Sequence, residues 1–351
     1  MSNTFKTIFL LMSGLTLFYT FLPTVFILDN KIVRVNITGE PSISESSIEV
    51  LKKNTYWNLE KMLCLEDPAI DSTITRFKLS EMTTCPKSGI VSIYIMGRTG
   101  NQMWEYASVW AVARRTGLEP YIPRCIKLKL DQIFEQLSVP AFEEIAHCPV
   151  EFNTFVKSIE EWNFTNQSII LPRYTLKPKL VLTWVQDIIQ EFRFRKKLRE
   201  KSQQILTSLL RKLPPRDYTF VGVHVRRTDY VGYLKRKYDE SPVTKQFFIN
   251  AMAYYKNKYR DCLFVFLSDD PNWCYQHFGR KPDVYVASYK TKNTPALDLA
   301  LMAACNHSIF DYGTFGEWGS ILAGGETVYS NMTQNIKKGT GRIMKNWMAM
   351  D

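Results

Sequence analysis

The sequence predicts an α/β protein built on parallel, doubly wound sheets, and three observations predict it. Past residue 216, short apolar runs alternate with amphipathic stretches, the order that parallel strands joined by helical crossovers require. Helix-start signals sit where each apolar run ends, as at Thr294-Pro295 and Thr314-Phe315-Gly316-Glu317. A further strand-turn-helix unit occupies residues 90 to 115, ahead of the Lys212-Leu213-Pro214-Pro215-Arg216 linker, so a Rossmann-like half is expected on each side of a cleft.

The elements follow in chain order. Residues 1–6 form a short polar tail. No charged residue occurs from Thr7 to Leu28, which is about the length of a bilayer-spanning helix, with Lys6 before it and Asp29, Lys31 and Arg34 after it. Residues 7–28 therefore read as a transmembrane signal-anchor, a cleaved signal peptide being the alternative that Pro23 leaves open. Residues 29–84, rich in Ser, Thr, Glu and Lys, read as a stem.

The first globular half is expected over 85–215. The apolar run 90 to 96 is a strand. The turn Gly97-Arg98-Thr99-Gly100-Asn101-Gln102 follows, and then Met103, Tyr106, Ala107, Trp110 and Ala111 recur at helical spacing. A Pro-containing stretch covers 119 to 149, and 184 to 212 carries amphipathic helical signal. The second half, 216–345, reads as strand 220 to 225, helix 244 to 259, strand 263 to 267, a helix from Pro271 and a strand at 284 to 286. Helix 295 to 305, strand 307 to 311, a helix from Thr314 to Ala323 and strand 327 to 329 complete it. Thr314 and Glu317 fit a capping box, which accounts for Glu317 without any catalytic role.

The chain has 351 residues, 45% of them hydrophobic, ample for two domains. Its formal charge of +11 suits an acidic small ligand, although the densest run, Arg193 to Lys201, reads as a solvated helix face. Sequons at Asn36, Asn163, Asn166, Asn306 and Asn331 all follow the apolar segment and place the body in the secretory lumen, which argues against nucleic acid as a partner. Seven cysteines without a Cys-x-x-Cys pair, and four histidines, give no zinc pattern; an odd count leaves at least one thiol unpaired and fixes no disulfide connectivity.

The densest chemistry is Val221 to Tyr230, where an apolar strand ends in His224-Val225-Arg226-Arg227-Thr228-Asp229. Alternation puts His224 and Arg226 on one face and Arg227 on the other. A guanidinium at the carboxyl end of a parallel strand can hold two phosphate oxygens in a fork, which points to a nucleoside diphosphate. The competing reading is a surface ion pair between Arg227 and Asp229. The Gly97 turn offers free N–H groups at a helix start with Arg98 adding charge, while Asn101 serves either that site or the helix cap. Of Asp269 and Asp270, one caps the helix begun by Pro271 and the other can accept from guanine; the chain holds no Asp-x-Asp pair to favour a metal instead. Thr314 opens a second anion-ready helix start, and His307 fits packing better than catalysis.

Taken together and in order, Gly97-Arg-Thr-Gly-Asn-Gln-Met103 with Glu105-Tyr-Ala107, the His224 to Tyr230 segment, and Cys305-Asn-His-Ser through Gly313-Thr-Phe-Gly316, Trp318 and Gly324-Gly325 resemble the α1,2-fucosyltransferases of glycosyltransferase family 11. The resemblance, over about residues 90 to 333, implies a GT-B-like, metal-independent hexosyltransferase without a cofactor. It implies transfer of fucose from GDP-fucose to O-2 of a galactose-terminated glycan with inversion, in a type II Golgi membrane protein anchored in the bilayer by its N-terminal helix. By position, Arg226 would grip the donor diphosphate with Arg227 and Asp229 beside it, and His224 would lie near the nucleotide. Asp269 or Asp270 would address guanine. Thr314 and Phe315 would close on the β-phosphate, with Asn101 and Arg98 facing the reacting centre. His224 is either the acceptor's base or a nucleotide contact, the departing phosphate then taking the proton. Many α1,2 enzymes have Gly where Thr228 stands and Leu where Thr99 stands, and Thr at 228 also resembles the α1,6-fucosyltransferases. Transfer in another linkage, α1,6 or protein O-linked, and a non-catalytic GDP-sugar or glycan binder are the alternatives.

Overall fold

The structure, a computed structural model, describes residues 23–28, 31–36, 63–64, 84–145, 148, 152–155, 168–289, 293–332 and 339–351. The expected tail, residues 7–22 of the expected span, most of the stem, Asn163 and Asn166 lie outside them. Strands β1 (Pro23–Leu28) and β2 (Lys31–Asn36) form an antiparallel hairpin, so the last six residues of the expected membrane helix are strand. No helix among the described residues is long and apolar enough to cross a membrane.

The first half begins with β3 (Ile90–Ile93), whose four residues are all buried, and α1 (Thr99–Thr116), ended by Gly117 in the left-handed region with φ 79°. Strand β4 (Glu119–Pro120), α2 (Arg124–Asp131), β5 (Phe152–Phe155) and β6 (Ser168–Leu171) follow. The four strands make a parallel sheet in the order β4-β3-β6-β5. Disulfides Cys64–Cys125 and Cys85–Cys148 tie the preceding chain to this half. Leu63 and Cys64, inside the stretch read as stem, are buried, and Leu63 accepts a backbone bond from Ile95 at 2.9 Å.

Helices α3 (Pro178–Val181), α4 (Val185–Glu191) and α5 (Lys196–Leu210) lead to the second half. The helical signal over 184 to 212 resolves into two helices, because Phe194 leaves the helical path to bridge Phe134 while Phe134 packs between Phe192 and Phe194 at 4.9 and 5.1 Å.

The second half runs β7 (Thr219–Val225), α6 (Thr228–Tyr238), α7 (Lys245–Lys258), β8 (Cys262–Ser268), α8 (Pro271–Phe278), β9 (Val284–Val286), α9 (Pro295–Ala303), β10 (His307–Phe310), α10 (Thr314–Ala323), β11 (Thr327–Ser330), α11 (Thr340–Ile343) and β12 (Trp347–Met350). Its six strands are all parallel, in the order β12-β11-β10-β7-β8-β9. Alternation along β7 splits the core cleanly. Val221, Val223 and Val225 pack with Phe247, Phe248 and Phe266 on one face. Gly222 faces the opposite way, where a Cβ would lie 3.1 Å from Met302 Cγ in α9. That second core is continuous with the first half: Trp104 of α1 lies 4.6 Å from Trp318 of α10, and Phe192 lies 4.8 Å from Trp318. The two halves share apolar packing at the base of the expected cleft.

Candidate active site

The parallel register pairs His224 with Leu267 and Val225 with Ser268, so Arg226 and Asp269 emerge side by side at the carboxyl ends of β7 and β8. Arg226 is bonded through Nη1 to Asp269 and through Nη2 to Asp229. Asp269 also accepts from the Arg227 backbone N–H at 2.8 Å and from the Thr228 hydroxyl. On the other flank Asp311, fully buried at the end of β10, accepts the Arg226 backbone N–H at 2.8 Å. Burial holds the Asp311 carboxyl well above the usual carboxylate range, against the bonds donated by the Arg226 and Tyr312 backbones. Sequence reading assigned Asp311 no part; its signal was a carboxylate at a strand end next to the Tyr312-Gly313 turn.

Arg227 faces away from Arg226, its guanidinium 4.5 Å from the Trp273 ring centroid. The Arg227–Asp229 ion pair of the competing reading does not form. Asp229 instead holds Arg226 and, at 3.2 Å, Arg98 from the first half. The Arg98–Asp229 pair is exposed, with side chains 73% and 53% accessible, and contributes little to stability on its own. Arg226 is 17% accessible, so its charge is far less screened.

His224 is buried 5.2 Å from the Phe315 ring, its Nδ1 3.9 Å from Asp311. Burial pushes its pKa down to about 4, with Asp269 opposing and Arg226 reinforcing the shift, so the imidazole is neutral at physiological pH. Gly316 makes room for it, since a Cβ there would lie 2.8 Å from His224 Nδ1.

The two glycine turns meet. The Thr314 hydroxyl donates to Asn101 Oδ1 at 2.8 Å, and a Cβ on Gly100 would lie 2.6 Å from the Phe315 backbone nitrogen. Gly97 adopts φ 71°, and a Cβ on it would lie 1.9 Å from Asn101 Nδ2. The starts of α1 and α10 thus converge beside Arg98 and Arg226, where helix N-termini add partial positive charge. Asn101 sits within α1, whose cap position belongs to Arg98.

Asp270 is the helix cap, accepting from the Trp273 N–H at 3.1 Å. With Asp269 occupied by Arg226, a further carboxylate near the carboxyl edge of the sheet is Asp298, in the first turn of α9. It accepts from Asn293 at 2.9 Å and Ser288 at 3.5 Å, and burial raises it to about 6. In the sequence Asp298 is only a carboxylate in the first turn of a helix, and the fold brings it to this edge.

The capping box at Thr314 is not formed. Gly313, with φ 91°, holds the cap position, and no side chain caps the helix. Glu317 is buried against the first half, accepting from the Trp104 indole N–H at 2.9 Å, and burial raises its pKa to about 7. His307 accepts from the Glu326 N–H at 3.0 Å and stacks with Tyr255 and Tyr259, a packing role. Of the sequons, Asn306 is exposed, with Oδ1 accepting from the Phe220 N–H at 2.9 Å, and Asn331 Nδ2 donates to Asp351.

Known proteins support a family assignment. The chain is 32% identical over 251 residues to galactoside 2-alpha-L-fucosyltransferase SEC1 of Bos taurus, covering 70% of this chain and 67% of that one. It is 32% identical over 285 residues to galactoside alpha-(1,2)-fucosyltransferase 2 of Bos taurus, covering 79% of each. Among solved structures, fucosyltransferase NodZ from Bradyrhizobium superposes with a TM-score of 0.45 at 14% identity, covering 66% of this chain and 92% of that one. The sequence pattern of Glycosyl transferase family 11 matches residues 61–350, and the chain belongs to that family.

Proposed function

We propose that this protein transfers L-fucose from GDP-fucose to the 2-hydroxyl of a terminal galactoside, with inversion and without a metal ion. The proposed architecture is GT-B-like, an acceptor-side domain over 85–215 facing a donor domain expected over 216–345, whose sheet continues into β12 (Trp347–Met350). The observation that carries the reading is the convergence of Arg226, Arg98 and two helix starts on one point at the carboxyl edge of a parallel sheet. A departing GDP develops negative charge on its β-phosphate, and preorganised cationic donors at that point stabilise it. The names of the relatives at 32% identity favour the galactoside as acceptor and O-2 as the linkage.

In the proposed mechanism the donor diphosphate displaces Asp229 from Arg226 and Arg98, while Asp269, less exposed and more fully bonded, stays to orient the guanidinium. Thr314, Phe315 and Asn101 close on the β-phosphate. Arg227, braced on Trp273, supports the site from the other face of the strand. Asp298 takes the place expected for Asp269 or Asp270 in reading guanine. His224 is a weak base when burial holds it near 4, so it shapes the pocket and the departing phosphate takes the acceptor's proton. The apolar N-terminal segment anchors the chain in the Golgi membrane with the body in the lumen, where Asn36, Asn163, Asn166, Asn306 and Asn331 meet the glycosylation machinery.

The test is Arg226→Ala, assayed for fucose transfer from GDP-fucose to lactose with linkage analysis of the product. Loss of the diphosphate clamp should lower kcat by about 10²–10³-fold. Near-normal turnover in that variant would sink the assignment, and a product bonded elsewhere than O-2 would redirect it to another linkage.

A further inference from the structure

The first half carries a second feature of its own at the carboxyl edge of its sheet. Strands β3 and β6 are hydrogen-bonded neighbours, with Ile93 opposite Leu171 and the Tyr94 N–H donating to the Leu171 carbonyl at 3.3 Å. Their outgoing chains diverge. The chain leaving β3 turns through Gly97 into α1 and on to β4, whereas the chain leaving β6 leaves the sheet for α3. The loops at the carboxyl ends of these strands occupy the position that open α/β sheets use for ligands.

Three side chains occupy that edge. The Arg173 guanidinium lies 5.5 Å from the Tyr94 ring centroid. Tyr174 is 52% exposed, one of few large hydrophobic side chains so presented among the described residues. Its backbone is left-handed, φ 56°, a conformation that costs a tyrosine about 1–2 kcal/mol and persists only where the surroundings impose it. The imposing contacts are visible. The Thr175 hydroxyl donates to the Pro172 carbonyl at 2.6 Å, and the Ser108 hydroxyl of α1 donates to the Thr175 carbonyl at 3.0 Å. The turn is thereby clamped to the same helix whose start carries Arg98 and Asn101, and it holds an aromatic ring in solvent.

Resting on the reading of the chain as a galactoside-directed transferase, we infer that Tyr94, Arg173 and Tyr174 form a subsite for the acceptor sugar to which the galactose is attached. A pyranose presents C–H bonds on one face, which stack on an aromatic ring, and hydroxyls around its rim, which accept from a guanidinium fork. Arg98 follows Tyr94 by four positions, at most about 14 Å of extended chain, which is the reach of a short oligosaccharide whose terminal galactose lies at the reacting centre. A neutral hexopyranoside is the class of ligand these groups fit.

The test compares equilibrium binding of lactose and of methyl β-D-galactoside to the full chain with GDP present, by calorimetry or saturation-transfer NMR. The wild-type protein should prefer lactose. Tyr174→Gly removes the ring and accepts the left-handed backbone without strain, so it keeps the fold and should erase about 3- to 10-fold of that preference, while Tyr174→Phe retains it. The Kd for GDP should not change in either variant. Lactose preference that survives Tyr174→Gly, or is absent from the wild type, overturns the subsite. Fucose transfer is scored separately: a wild type that prefers lactose yet transfers nothing would sink the proposed activity and leave the subsite standing.

Discussion

Gly100 lies where the starts of α1 and α10 touch, and the obstacle to any larger residue there is backbone. A Cβ would stand 2.6 Å from the Phe315 nitrogen and 2.7 Å from the Thr314 carbonyl carbon. No rotamer change relieves that overlap, so Gly100→Ala must push the two helix starts apart. Overpacking of this kind costs about 1–3 kcal/mol, and here it also separates Asn101 from Thr314. The variant should unfold at lower temperature and bind GDP more weakly, read by thermal denaturation and calorimetry; wild-type values for both would show that the contact is not needed. At this scale the sequence was informative about residue type and silent about partners. Alternation placed His224 and Arg226 on one face and Arg227 on the other, because period-two geometry is local. Which distant carboxylates would meet Arg226 depended on the neighbouring strands: Asp269 at the side chain and Asp311 at the backbone required the register of β7 with β8 and β10, whereas Asp229 lies three residues on in the same segment.

Helix α10 shows why an element's signature can mislead. The Thr-x-x-Glu pattern fits a capping box, yet the Thr314 hydroxyl is engaged by Asn101 and Glu317 by Trp104, both from the other half of the molecule. Tertiary partners outcompeted the local motif. The consequence is a carboxyl raised by burial to about 7, with the Trp104 indole and the Thr340 hydroxyl opposing the shift. Because the folded protein holds this proton more tightly than the unfolded chain, Glu317 lowers stability as pH rises from about 4.5 to 7 and has no further effect above that. Glu317→Gln stays neutral throughout. It should match the wild type near pH 4.5 and exceed it by roughly 2–4 kcal/mol at pH 7.5, measured by denaturant midpoints at both pH values. Equal midpoints at pH 7.5 would mean the carboxylate is solvated. Helix α6 failed to register in the sequence for a different reason: it begins inside the arginine motif, whose residues read as ligand contacts, and Leu234 is its one buried residue. Strands β4 and β6 are too short for alternation to show, with two and four residues.

For the molecule as a whole, strand-helix alternation made the second sheet legible almost element by element, whereas the relation between the halves was not. A Pro-Pro linker suggested two bodies facing across a cleft, but linker composition carries no information about surfaces that meet through folding. In the structure α5, on the N-terminal side of that linker, packs against α9, and α10 packs against α1. Trp104, fully buried, sits between Trp318 and the Glu317 carboxylate. An interface with a buried tryptophan pair and a hydrogen-bonded carboxyl resembles a domain core more than the polar, mobile contact expected between independent domains. The halves should therefore unfold together. Calorimetry should give one transition for the wild type, and Trp104→Ala, which empties a fully buried indole and removes the indole N–H that Glu317 accepts from, should lower the unfolding free energy by about 3–5 kcal/mol while keeping the transition single. Two resolved transitions in the wild type would mean that each half is stable alone. The site would then depend on docking, and GDP would raise the melting temperature of the second half only.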